Sequence, residues 1–408
     1  MQIEELKRVL VSQREEMSEF VKRERIIQRD AEENAKSAIA SPNVLAILGV
    51  RRSGKSVLSW NLTGGNALYV NFFDERLSAF RSDDFERLLN AARELWGEPE
   101  IVVLDEVQEV KGWERFVSRL RLNKRVVVTG SSSRLLSGEM ATYLTGRHVD
   151  LTLFPFSFRE FLRFKGVELS ESWEYFDREV SRVKRELEEY LEIGGFPEAV
   201  RFGRFYLSQI YRDLIERDVI LRHGVKHVDA LRELARYLIS NHSSEFTYSR
   251  LGSLAGLRDV HTVRDYVSYL EGAYLIFQLR RFSFKPKGQL LSPRKVYPTD
   301  TGIAKTLTLK AHPEKGKPME LAVFLEIKRA LSYSFIPGEV YYWRDEVDFV
   351  VRVDGKLIPI QVTFSLEGTS DREVGNPVRA SKVLRAKKGH RRHVGGSRGV
   401  KGMVLRSR

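Results

Sequence analysis

NVLAILGVRRSGKSVL, residues 43 to 58, opens on a short apolar run, Val44 to Leu48, with the look of a buried strand. The run breaks at Gly49. Gly49, Val50, Arg51, Arg52, Ser53, Gly54, Lys55 and Ser56 then complete the pattern GxxxxGK[ST], and Val57 and Leu58 open a helix behind it. Strand, glycine loop and helix in that order form the setting that a phosphate-binding loop requires. Two glycines let the backbone turn its N–H groups inward around an anion, and a helix N-terminus adds partial positive charge. In this reading Lys55 reaches the β- and γ-phosphates of ATP, and the Ser56 hydroxyl ligates Mg2+.

Working outward, Ile101 to Leu104 is purely aliphatic and ends in Asp105 and Glu106. A carboxylate at the end of a strand beside the loop can hold Mg2+ through water, and the next Glu can orient or deprotonate the attacking water. Between loop and acids, Ala67 to Phe73 reads as a strand and Ser82 to Gly97 as a helix with Ser82 as its N-cap. Arg125 to Thr129 is a further aliphatic strand that runs into Gly130-Ser131-Ser132-Ser133. Ser131 is a candidate contact for the γ-phosphate or the water; a plain polar turn is the alternative. Arg147, after Gly146, is a candidate arginine finger for a neighbour's ATP, with a surface salt bridge as the alternative. Strands alternating with helices argue for a parallel α/β sheet up to about residue 155.

Composition sets outer bounds. The 408 residues leave room for roughly two to four domains. Cys is absent, which excludes disulfides, thiolate nucleophiles and Cys-ligated zinc. No apolar run approaches the ~20 residues of a membrane span, and the charged N-terminus does not resemble a secretory signal. The expected location is cytoplasmic, with no membrane partner. The net charge is +13, but eleven Lys and Arg and no acid fall between Val374 and Arg408, which leaves +2 for the rest. The overall charge therefore says little about nucleic-acid binding by the body of the chain.

The flanking segments read as follows. Residues 1 to 38 are charged and helical, with IEELKRVL carrying a buried stripe. KRERIIQRDAEENAK reads as a solvated face and is assigned no chemistry. Residues 171 to 240 are helical, broken at Gly194-Gly195-Phe196-Pro197, and suit a small lid. Leu231 to Leu279 has the pattern of a winged helix, whose third helix offers His261, Arg264 and Tyr269 beside Asp265. Lys285, Lys287, Arg294 and Lys295 lie in the wing, where they suit phosphate contact; a protein-contact role is the alternative. The last unit carries Glu320 on a helix, Asp348 on a strand, and Gln361 and Thr363 on one face of another strand.

Taken together, the chain resembles the archaeal and bacterial AAA+ ATPases whose core and winged helix are followed by a domain of the PD-(D/E)xK nuclease fold. The resemblance rests on GVRRSGKS, IVVLDEVQ, VVVTGSSSRLL, GR followed by LFPFSFREFL, GGFPEAV, PTDTGIA, and WRDEVDFVV with IPIQVT, from about residue 40 to 380. It implies an α/β fold: a P-loop NTPase parallel sheet with a helical lid, then a winged helix and a smaller α/β nuclease-like domain. The implied divisions are 1–38 (N-terminal helical segment), 39–165 (ATPase core), 166–225 (lid), 226–299 (winged helix), 300–380 (degenerate nuclease-like domain) and 381–408 (basic tail). The resemblance also implies ATP held by Gly49 to Val57, Mg2+ at Ser56 and Asp105, and water activated by Glu106. Ser131 would be the first sensor. Arg147 would be the finger given to a neighbour, and hence the chain a homo-oligomer. In active nucleases of that fold Glu320 and Asp348 would have counterparts, but Gln361 stands where a metal-binding Glu belongs and Thr363 where a Lys belongs. A neutral amide is a poor substitute for a carboxylate on Mg2+, so no working nuclease site is expected. The function expected is hydrolysis of ATP to ADP in the service of DNA or a DNA-associated partner. The alternatives are a slow nucleotide-dependent switch that binds a protein partner, and an active metal-dependent nuclease.

Overall fold

The computed structural model describes residues 1–132, 143–308, 316–344 and 347–363. The basic tail at 381–408 lies outside the described residues, as does the stretch from 364 to 380.

The chain begins with α1 (Ile3–Arg23) and α2 (Glu32–Ile39). The core follows as β1 (Val44–Leu48), α3 (Lys55–Thr63), β2 (Leu68–Asn71), α4 (Phe85–Trp96), β3 (Ile101–Asp105), α5 (Trp113–Leu120), β4 (Arg125–Gly130) and β5 (His148–Thr152). The five strands form one sheet in the order β2-β3-β4-β1-β5, parallel throughout. Every residue of β1 is buried, as befits a central strand covered on both faces. α4 buries Phe85, Leu88, Leu89 and Ala92, a three–four spacing that presents one apolar stripe. Parallel strands end together, so the loop after β1 and the acids after β3 emerge on the same edge. The strand of the acids is not the immediate neighbour of β1, because β4 lies between them.

Beyond the core, α6 (Phe158–Lys165), α7 (Asp177–Ile193), α8 (Pro197–Phe202) and α9 (Phe205–Asp213) lead into a π-helical segment, Leu214–Leu221. The turn between α7 and α8 passes close to the core. A Cβ on Gly195 would meet the Phe156 carbonyl oxygen at 2.2 Å, so only glycine fits there. The chain continues as α10 (Val228–Ser240), β6 (Glu245–Phe246), α11 (Tyr248–Leu254), α12 (Val260–Gly272), β7 (Ile276–Arg281), α13 (Pro286–Leu291) and β8 (Arg294–Pro298). α14 (Thr301–Leu307), α15 (Gly316–Tyr333), β9 (Gly338–Trp343), β10 (Val347–Val353) and β11 (Lys356–Ile360) complete it. The second sheet has the order β11-β10-β9-β7-β8-β6. Its strands pair antiparallel except β7 with β9, which run parallel.

The N-terminal stretch read as one helical segment is broken from Glu24 to Ala31, between α1 and α2. The sequence reading starts its last unit at residue 300, but α14 lies against α7, α9 and α10. Asp300 fixes that contact: it caps α14 through the Ile303 N–H (3.1 Å) and accepts the Gly195 N–H (2.6 Å) across the interface. No helix among the described residues is long and apolar enough to cross a membrane.

Burial pushes the Asp300 carboxyl up from 3.8 to about 6. Its raised value means that the folded state favours the protonated acid. The stabilising contribution is full below pH 3.8 and is lost as pH rises through about 6. The stability difference between wild type and Asp300→Asn, measured by denaturant unfolding, should therefore fall by on the order of 3 kcal/mol between pH 4 and pH 7. A difference independent of pH would contradict the buried carboxyl.

Candidate active site

The loop between β1 and α3 has the backbone that its glycines predict. Gly49 has φ 138° and Gly54 φ 95°. A Cβ on Gly49 would strike the Leu153 carbonyl oxygen at 2.2 Å. Arg52 takes a left-handed backbone without being glycine, with φ 66°. Val50 is buried, and the Ser53 hydroxyl is buried without a hydrogen-bond partner among the described residues. Lys55, the first residue of α3, sets its Nζ 3.1 Å from the Gly49 carbonyl oxygen and 3.2 Å from that of Val50. The same nitrogen lies 3.7 Å from Glu106 Oε1. Burial lowers the pKa of Lys55, against the opposing pull of Glu106 and Asp105.

Asp105 is 1% exposed and accepts the Tyr69 hydroxyl at 2.7 Å and the Thr129 hydroxyl. Ser56, like Thr129 and Tyr69, favours its ionised form. Burial first, then Glu106, holds its pKa above the usual 3.8. Glu106 sits in the left-handed region at φ 50°, a costly state for a non-glycine residue that is concentrated at functional sites. Its N–H donates to the Thr129 hydroxyl at 3.0 Å, and its Oε2 accepts from Gln108 Nε2 at 2.5 Å. Burial raises its pKa, but Lys55, Gln108, Arg51 and Ser131 outweigh it, so the value lies below the usual 4.5.

A cavity of about 430 Å³ opens over these groups, within the roughly 300–1,000 Å³ usual for ligand pockets. Lys55, Ser56, Val57, Asp105 and Glu106 line one end. Ile26, Ile27, Phe156, Phe164 and Phe202 line an apolar end with the size and character for a flat base. A larger open groove of about 1190 Å³ runs beside α4 and α5, but the glycine loop and both strand-end acids face the smaller cavity. The residues present fit a nucleoside triphosphate with a divalent cation. Gly49 leaves no room for a side chain, the Ser53 hydroxyl is buried with no hydrogen-bond partner among the described residues, and Ser56 and Asp105 line the same cavity.

The structure thus brings together Gly49 to Val57, Asp105 and Glu106. Ser131 is buried just past β4, 3.5 Å from the Arg222 guanidinium, and helps to lower the pKa of Glu106. Arg147 is exposed at the start of β5, the opposite end of the sheet from the loop, and takes no part in this chain's own cavity. The side chains of Arg51 and Arg52 do not turn into the loop: Arg51 pairs with Asp218, and Arg52 with Glu198 and Asp213. Sequence reasoning missed the contribution of the N-terminal segment. Glu24 to Arg29 was read as solvated surface, yet Arg29 is 7% exposed beneath the loop and donates to the Ser53 carbonyl oxygen at 2.8 Å. The one signal there was the pair Ile26-Ile27 inside a run of charge. Tyr69, Thr129 and the lid acids were also missed; their types carry no pattern by themselves.

Comparison with known proteins gives two family matches. Residues 41–162 match the family described as AAA domain, and residues 184–314 match Domain of unknown function (DUF8612). An uncharacterised protein of Methanocaldococcus jannaschii is 30% identical over 388 residues, covering 90% of this chain and 84% of that protein. One of Haemophilus influenzae is 31% identical over 343 residues, covering 79% and 83%. Among solved structures, the chain is similar to a Walker-type ATPase of Pyrococcus abyssi, with TM-score 0.44 and 16% identity over 70% of this chain and 97% of that one. It is also similar to the Aeropyrum pernix ORC1 protein solved in complex with DNA, with TM-score 0.31 and 15% identity over 69% and 92%.

Gly49→Ala tests the cradle. The added methyl and the left-handed backbone should lower the unfolding free energy by roughly 1–3 kcal/mol. Distorting the amides should weaken binding of a fluorescent ATP analogue about tenfold or more. Unchanged binding would place the phosphates elsewhere.

Proposed function

Because the chain belongs to one family with the Methanocaldococcus jannaschii and Haemophilus influenzae proteins and carries an AAA domain, we propose that it is a Mg2+-dependent AAA+ ATPase. One observation carries the reading: Lys55 Nζ of the glycine loop stands 3.7 Å from Glu106, in a cavity that Ser56 and Asp105 also line. The backbone amides from Val50 to Ser56 and the Lys55 ammonium hold the triphosphate. Ile26, Ile27 and the aromatic side chains hold the base. Ser56 and Asp105 hold the cation, which when bound screens charge on the β- and γ-phosphates. Glu106, ionised at neutral pH, takes the proton of the attacking water on a carboxylate oxygen, and Ser131 serves as the first sensor. Arg147, remote from its own cavity, acts on a neighbour's ATP in a homo-oligomer.

The partner side of the proposal rests on residues 228–298. Their order of helix, strand, helix, helix, strand, with the short α13 before the last strand, and the antiparallel set β6-β8-β7 that closes them support the winged-helix reading. His261, Arg264 and Asp265 are exposed on α12, and the Arg264 and Arg294 guanidinium groups flank the Tyr248 ring at 5.3 and 5.4 Å. Tyr269 is not part of a reading face: it stacks on His223 at 4.0 Å. We take duplex DNA or a DNA-associated protein as the partner. In the nuclease-like unit, Asp348 accepts from Gln361 Nε2 (2.8 Å) and the Val362 N–H (2.7 Å), and Glu320 from the Tyr297 hydroxyl (2.6 Å). The amide therefore occupies the carboxylate that a metal would need.

Steady ATP hydrolysis, faster with duplex DNA, is the expected result; retention of ADP with no turnover would favour a switch. Lys55→Ala should lose ATP binding, whereas Glu106→Gln should bind normally and turn over roughly 10²–10⁴ times more slowly. The acid limb of kcat should lie below pH 4.5, because the Glu106 carboxyl is held down. Arg147→Ala and Glu106→Gln chains, each inactive alone, should regain turnover when mixed; no recovery would refute a finger acting between subunits. Plasmid DNA with Mg2+ or Mn2+ should stay uncut, and cleavage abolished by Asp348→Ala would overturn that reading.

A further inference from the structure

Arg51 is tied to the lid by the strongest geometry available to it. Its Nε lies 2.9 Å from Asp218 Oδ2 and its NH2 3.2 Å from Oδ1, a two-pronged bond. Asp218 is 1% exposed and belongs to the π-helical segment Leu214–Leu221. Such turns are rare and are found mostly at functional positions. The guanidinium also rests on the Phe73 ring, 4.9 Å from its centre, at the rim of the cavity. Asp218 lies 3.5 Å from Arg222, which in turn reaches Ser131. Glu106 and Glu109 also lie within electrostatic reach of Arg51. Lys55 already leans on Glu106.

A guanidinium so placed needs a carboxylate. If Asp218 did not hold it, Glu106 and Glu109 would draw it. An ion pair with Arg51 would occupy the oxygens that Glu106 needs for water. We propose that Asp218 is a positioning residue of the ATPase: from the lid it keeps Arg51 at the cavity rim beside Phe73, so that Glu106 stays available to water. The same bond fixes where the lid sits relative to the loop. This inference rests on the reading of Glu106 as the base.

The test is a double-variant cycle on the full chain, read by steady-state ATP hydrolysis and by binding of a fluorescent ATP analogue. Asp218→Asn should lower kcat about tenfold to a hundredfold while the analogue's Kd changes by less than about threefold. Adding Arg51→Gln to Asp218→Asn should restore kcat to near that of Arg51→Gln alone, because the stray cation is gone. If Asp218→Asn costs as much without Arg51 as with it, the proposal is wrong. If Asp218→Asn fails to fold, the double variant should fold, since no cation is stranded; a double variant equally unfolded also overturns it. Should the wild type bind no ATP analogue, the parent reading falls. The same cycle read by thermal melting then still shows whether Asp218 serves Arg51.

Discussion

An ammonium group is costly to bury unless carboxylates share its surroundings, and Lys55 is buried at the start of α3. The order of the first sheet answers that constraint. With β4 between β1 and β3, the loop and the acidic pair are close enough for Lys55 to meet Glu106 and far enough apart for a cavity. Thr129, on the intervening strand, serves both acids: its hydroxyl donates to Asp105 and accepts the N–H of Glu106. The left-handed turn at Glu106 directs its side chain back over the sheet edge. Charge balance, strand order and one strained residue thus depend on one another.

A second buried assembly of charge ties the distant parts of the chain to that edge. Arg29 bonds Glu160 at 2.9 Å, the Ser53 carbonyl oxygen at 2.8 Å and that of Phe154 at 2.7 Å. Glu160 also accepts the N–H groups of Asp30 and Ser157, both at 2.8 Å. Arg329, from α15, donates to the carbonyl oxygens of Pro155 and Phe156, each at 3.1 Å. Buried ion pairs contribute less net stability than their geometry suggests, because desolvation offsets most of the attraction. Their effect here is register: the segment after α1, the end of the core and α15 each supply one side of a network that closes in one arrangement.

The core was legible because its signals are local. Gly49 to Ser56 and the strand ending at Asp105-Glu106 announce themselves by spacing and by aliphatic runs bounded by polar turns. The second half could be read as a series of elements for the same reason. What escaped was set by tertiary contact. Nothing in KRERIIQRD says that Arg29 is buried beneath the loop, since the same residues would suit a solvated helix. Nothing in the motif says that the side chains of Arg51 and Arg52 pair with acids from positions 198, 213 and 218. Tyr269 has the spacing of a helix's reading face, and only the approach of His223 removes it. Asp300 reads as the opening of a new unit, whereas its partner, Gly195, is over a hundred positions earlier.

The parallel contact of β7 with β9, Arg280 beside Tyr341 and Arg281 beside Tyr342, joins two sets of antiparallel strands into one six-stranded surface. A hinge cannot operate across a continuous hydrogen-bonded ladder. The strands from β6 to β11 therefore form a single plate, tied to the preceding helices by α14 and by the stacking of His223 on Tyr269. Any rotation of such a plate about that attachment displaces its far edge, β11, more than β8 beside α14.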